Sequence, residues 1–146
     1  MDKDPGLVAL VTQVSKALLR RTTEELLGMR LKSFLLLQQV RDRERVTQQE
    51  LESALMIDAN TVVLLLNELE AAGFSIRRRD AEDRRRHVVE LTQAGRTALE
   101  RAEKARATLE EQMTAGLSSE ERATLRRLLR EVLESLLRAI PEPAKL

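Results

Sequence analysis

The chain has 146 residues, of which 34% are charged and 1% aromatic, with no Cys, Trp or Tyr and a net charge of +1. That length suits one compact unit, or one domain with helical extensions, whose thin aliphatic core gains its remaining burial from a partner subunit. The missing cysteines exclude disulfides, thiolate metal sites and thiol redox sensing. The small net charge leaves any affinity for nucleic acid to a local basic patch.

In chain order, Met1-Asp2-Lys3-Asp4-Pro5 carries acids where a secretory signal needs positive charge, and no apolar run approaches membrane-spanning length. A cytoplasmic location and no membrane partner are expected. The first helix is predicted over 6–27, with Leu7, Val11, Val14 and Leu18 on one stripe and Arg20-Arg21 spaced to pair with Glu24-Glu25. Gly28 breaks that run. A second helix, about 30–43, carries Leu31, Phe34, Leu35, Leu36, Leu37 and Val40, a broad apolar arc that belongs inside the molecule.

Thr47 and Glu50 form a capping box for a short third helix that offers Leu51, Ala54 and Leu55 to the core. Met56-Ile57-Asp58 is a tight connection, and Asp58 caps a fourth helix. That helix buries Val62, Leu65, Leu66 and Leu69, and Gly73 stops it where a left-handed residue is wanted. Phe74–Arg78 and His87–Leu91 read as two short strands around the polar turn Arg79–Arg86. Six arginines (77, 78, 79, 84, 85 and 86) crowd this hairpin. A solvated loop with local pairing to Asp80 and Asp83 accounts for one or two of them. The rest are predicted to face phosphate, which guanidinium forks match and hold at any cellular pH.

Thr92 caps a fifth helix, roughly 93–115, whose inward positions Ala94, Ala98, Ala102 and Ala105 let another helix approach, with Leu109 and Met113 widening the stripe. Gly116-Leu117 interrupts. Ser118 and Glu121 form a second capping box for a last helix to about Ala139, with a dense stripe of Leu125, Leu128, Leu129, Val132, Leu133, Leu136, Leu137 and Ile140, ended by Pro141 and Pro143. No segment is left to cover that stripe fully. It is expected to meet the first helix and its twin from a second chain, the alternative being a bundle within one subunit.

The run Leu69-Glu70-x-x-Gly73-Phe74, then Arg77-Arg78-x-Asp80-x-x-Asp83-Arg84-Arg85, then Val89-x-Leu91-Thr92-x-x-Gly95 resembles the MarR family of bacterial transcription regulators. The resemblance implies a mainly α fold with a small antiparallel β-hairpin: a winged helix-turn-helix with six helices, dimerising through its N- and C-terminal helices. Residues 29–92 would form the DNA-binding region, and 1–28 with 93–146 the helical dimerisation region. It further implies a homodimer on double-stranded DNA, a small-molecule effector that releases it, and Arg84 or Arg85 as the residue inserted in the minor groove, with Asp83 holding the arginine geometry. The start of the second helix, Met29–Phe34, departs from the family pattern.

In a helix-turn-helix the second helix enters the major groove, and a dimer reads half-sites about 10 base pairs apart. The groove side here is Asn60, Val63, Leu64, Asn67 and Ala71, flanked by Thr61. Asn60 and Asn67 can bond base edges or phosphates. Val63 and Leu64 stand where the resembled family has polar or basic residues. Arg77, Arg79, Arg84, Arg85 and Arg86, organised by Asp83, are the candidate wing contacts. His87, the single histidine, is read as a strand-surface or phosphate contact.

An enzyme finds no support, since the chain has no Cys nucleophile, one His, no glycine-rich phosphate loop and no paired-carboxylate motif. No cofactor or metal is expected. The predicted function is a DNA-binding transcriptional regulator, a homodimeric repressor on a palindromic operator. The alternative is a dimeric helical protein-interaction module that keeps the winged-helix fold with weakened base readout, because exposed Val63 and Leu64 suit an interface.

Overall fold

Helix starts are set by local caps, where the sequence predicts them. In the computed structural model, which describes residues 3–139, the elements are α1 (Gly6–Arg21), α2 (Glu24–Leu27), α3 (Leu31–Arg43), β1 (Val46–Thr47), α4 (Gln48–Leu55), α5 (Ala59–Ala71), β2 (Ser75–Arg79), β3 (His87–Leu91), α6 (Gln93–Met113) and α7 (Ser119–Ala139). Thr47 Oγ1 accepts from the Glu50 N–H at 3.1 Å while the Glu50 carboxylate takes the Thr47 N–H, closing the capping box. Asp58 accepts from the Thr61 N–H at 2.7 Å. Thr92 accepts from Gly95, and Ser118 exchanges bonds with Glu121. Each cap satisfies an amide that the first helical turn leaves without a partner.

Six of these helices have eight residues or more, and α2 is a single turn. The first predicted helix is thus broken. Thr23 turns out of α1 and accepts from the Leu26 N–H at 3.2 Å, starting a new turn. A hydroxyl that offers the backbone a local partner competes with helix continuation. Arg20 and Arg21 therefore lie on one helix and Glu24 and Glu25 on the next. The sheet has a third strand beside the hairpin. β1 pairs antiparallel with β3, Val46 opposite Val89 and Thr47 opposite Val88, in the order β1-β3-β2. Two residues are too few to show an alternating pattern, so sequence periodicity misses β1.

The chain divides into two units, Met1–Thr108 and Leu109–Leu146. In the first, the core joins Phe34, Leu36, Leu37 and Val40 of α3, Leu51 of α4, Val62, Leu65, Leu66 and Leu69 of α5, Val46, Val89, Leu99 and Ala102. All four predicted α5 residues are buried. Leu35 of α3 is exposed. On α6 the inward stripe is not quite the alanine row: Ala94 is exposed, while Gly95 and Leu99 are buried. Glu103 on α6 ties to α3 through Arg41 Nη1 at 2.5 Å and Gln38 at 3.2 Å, with Arg106 beside it. Burial opposes the charge on Glu103, but the bonds from Arg41, Gln38 and Arg106 outweigh it and hold its carboxyl below the ordinary value.

α1 buries no residue: Leu7, Val8, Val11 and Val14 are all more than half exposed. In the second unit, Leu128, Leu129, Val132, Leu133, Leu136 and Leu137 of α7 are likewise exposed. The predicted positions Ile140, Pro141 and Pro143 lie outside the described residues.

Candidate nucleic-acid interface

α5 ends as its residues require. The Phe74 N–H donates to Leu69 O and the Gly73 N–H to Glu70 O, both at 2.9 Å, with Gly73 at φ +79°. This double bond closes the helix end through a left-handed residue, which glycine adopts without strain. The chain then enters β2, so α5 and the hairpin are set in fixed register. Opposite its buried face α5 exposes Asn60, Val63, Leu64 and Asn67, with Thr61 half-buried at the edge.

Arg77 is bound to this helix. Its Nε donates to Glu70 Oε1 at 2.6 Å, and its Nη2 donates to Glu70 Oε2 at 3.0 Å and to Asn67 Oδ1 at 2.7 Å. The predicted wing contact is therefore a bracket between β2 and α5. Sequence reasoning weighed Arg77 only against acids of the hairpin, and its partner lies seven residues earlier on another element.

The hairpin pairs Ser75 with Leu91 through Arg79 with His87. Its tip is organised by Asp80, which is 3% exposed. Asp80 accepts from Arg86 Nε at 2.6 Å, from Arg45 Nη2 at 3.3 Å and from the Glu82 N–H at 3.0 Å. The Glu82 amide, then Arg86, holds the Asp80 carboxyl below the ordinary carboxylate range. Asp83 accepts from the Arg85 N–H at 3.1 Å and from its Nε at 3.3 Å. Arg79 donates to the Arg84 carbonyl at 2.8 Å, and Arg78 to Glu90 at 2.9 Å.

Pairing thus reaches further than the sequence predicts, to five of the six arginines. Among the described residues only the Arg84 guanidinium in this hairpin finds no partner. The pairs differ in strength. Arg86 grips a carboxylate that is out of water, whereas the Arg85 side chain is 94% exposed against Asp83. An exposed pair contributes only about 0–1 kcal/mol, so Arg85 can exchange Asp83 for a phosphate at little cost. The tip therefore offers Arg84 and Arg85 outward, while Arg77, Arg79 and Arg86 brace the hairpin. Asp80 is the local partner of a hairpin arginine that the sequence predicts, whereas Arg45, which also binds it, is a site residue that the sequence does not point to. Their link spans 35 residues, and no local signal announces it. His87 is exposed at the start of β3, beside the same cleft as Gln48, Glu70 and Arg77.

Comparison with known proteins matches residues 30–87 to the MarR family. YdgJ of Bacillus subtilis, an uncharacterized helix-turn-helix transcriptional regulator, is 37% identical over 90 residues, which are 62% of this chain and 52% of that relative. The chain spans little more than half the length of the curated relatives it matches. A crystal structure of MarR is similar with a TM-score of 0.83 at 26% identity, over 94% of this chain and 95% of that one. A cysteine-to-serine MarR variant from E. coli, complexed with operator DNA, is similar with a TM-score of 0.76 at 28% identity, over 87% and 93%.

Proposed function

We propose, on the premise that this chain belongs to the MarR family, that it is a DNA-binding transcriptional regulator: a homodimeric repressor acting in the cytoplasm on a palindromic operator and released by a small-molecule effector. Residues 29–92 are the DNA-binding region, with α5 in the major groove and Arg84 and Arg85 at the minor groove. The helices in 1–28 and 93–146 form the dimer. The observation that carries this reading is the division of labour in the wing, where a buried carboxylate fixes the hairpin and two exposed guanidiniums stand at its tip. The operator complex of the similar MarR variant supports it. No helix among the described residues is long and apolar enough to cross a membrane.

The test is a gel shift and salt titration on the intergenic DNA beside the gene. Binding should fall steeply with salt, and Arg85→Ala should flatten the log–log slope by about 0.9, one phosphate contact. An unchanged slope removes Arg85 from the interface. Dimerisation has its own readout. Leu133 is 47% exposed in the single chain, and Leu133→Lys, which would place an unpaired charge in an apolar interface, should weaken the dimer by roughly tenfold or more in sedimentation equilibrium. A wild-type chain that sediments as a monomer refutes the dimer.

A dimeric protein-interaction module is the second reading, favoured by exposed Val63 and Leu64. It requires a stable dimer that shifts no DNA at any salt.

A further inference from the structure

α5 reads ANTVVLLLNELEA, without Lys, Arg or His. Direct readout takes guanine with an Arg or Lys fork, and adenine with an Asn or Gln that uses its carbonyl and its amide together. The helix lacks the first. The second is constrained at Asn67, because one lone pair of its carbonyl oxygen is taken by Arg77 Nη2 at 2.7 Å. A guanidinium has only donors, so the Asn67 oxygen must face Arg77 and its NH2 group must face elsewhere. Asn67 is thereby oriented, with its NH2 group as the end turned away from Arg77.

What the middle of the helix offers instead is apolar. Val63 is 36% and Leu64 53% exposed, four and three residues before Asn67 and so on the same face. Thymine is the base whose major-groove edge carries both a methyl group and an acceptor, O4. We infer that the α5 face is a thymine reader, with Val63 and Leu64 packing on C5-methyl groups and Asn67, oriented by Arg77, donating to O4. Asn60, exposed in the first turn, is left to adenine or phosphate at the helix N-terminus. The inference rests on the proposed regulator function and specifies what its major-groove contact selects.

The experiment starts from a random-sequence duplex library. The full-length chain selects from it, and anisotropy titrations follow on a selected duplex in which each thymine in turn is replaced by uracil. Uracil lacks only the methyl, so its Watson–Crick pairing and O4 are kept. The expected result is thymine enrichment in each half-site and a loss of about fourfold in affinity per contacted methyl removed. Leu64→Ala should bring the thymine-to-uracil ratio toward one and leave the salt slope unchanged, since Leu64 neutralises no phosphate. Leu64 is exposed, so the substitution does not threaten folding. Selected half-sites in which uracil binds as tightly as thymine overturn the inference and leave the regulator standing. A library from which nothing is enriched, with no salt-dependent binding, overturns both and assigns the apolar face to a protein partner.

Discussion

Gly95→Ala should destabilise the chain by about 3 kcal/mol or more, beyond ordinary overpacking, which costs roughly 1–3 kcal/mol. A Cβ on Gly95 would stand 2.0 Å from the Phe74 carbonyl oxygen and 2.9 Å from its carbon. Both are backbone atoms, and neither can step aside as a side chain would. The same Phe74 carbonyl accepts the Thr92 N–H at 3.1 Å, and Thr92 Oγ1 donates to Gly73 O at 2.6 Å. The first turn of α6 is thus stitched to the junction between α5 and β2. Relief of the clash must move that junction and with it the register of helix and wing. Urea unfolding should show a lower midpoint at unchanged m, and the melting temperature should fall by roughly 6–12 °C. Gly116→Ala is the control: a Cβ there meets nothing within 4 Å, and its midpoint should stay near wild type. Equal midpoints for the two variants would show that the close approach at Gly95 does not govern stability.

Asp80→Ala should abolish the ordered wing while sparing the core. It strands two guanidiniums, Arg45 and Arg86, beside each other and removes the acceptor of the Glu82 amide. With the tip unheld, both Arg84 and Arg85 lose their placement. Affinity for operator DNA should drop about tenfold or more, and the salt slope should flatten by nearly two phosphate contacts' worth, about 1.8. Asp83→Ala, which frees only the exposed Arg85, should do much less. Affinities that fall equally for the two variants would deny Asp80 its organising role. The lock also has a pH signature. The Asp80 carboxyl is held below its ordinary value, so its contribution is fully present above the unfolded value of about 3.9 and is lost only as pH falls through the lower, folded one. Wing amide signals in NMR should therefore keep their native positions at pH 4 and disperse into random-coil positions only at more acid pH.

What the sequence alone determined was local. Thr47, Asp58, Thr92 and Ser118 act on amides within three residues, so their spacing suffices to place α4, α5, α6 and α7. The buried face of α5 was legible because Val62, Leu65, Leu66 and Leu69 repeat at the helical period. The motif from Leu69 to Gly95 carried the resemblance to the MarR family, whose match covers residues 30–87.

Tertiary structure alone decided which polar groups face which. Arg77 sits in a run of three arginines that look alike in sequence, yet only Arg77 lies opposite Glu70 and Asn67. Arg86 and Arg85 are neighbours, yet one holds a buried carboxylate and the other projects into solvent. Gly95 looks like any glycine in a helix until α6 meets the Phe74 carbonyl. For Arg77 and Gly95 the partner comes from another part of the fold, and for Arg85 and Arg86 the burial of the partner does, so that a charge or a missing Cβ acts over a few ångströms in space. Its consequence is unreadable until the chain has folded and brought that partner near.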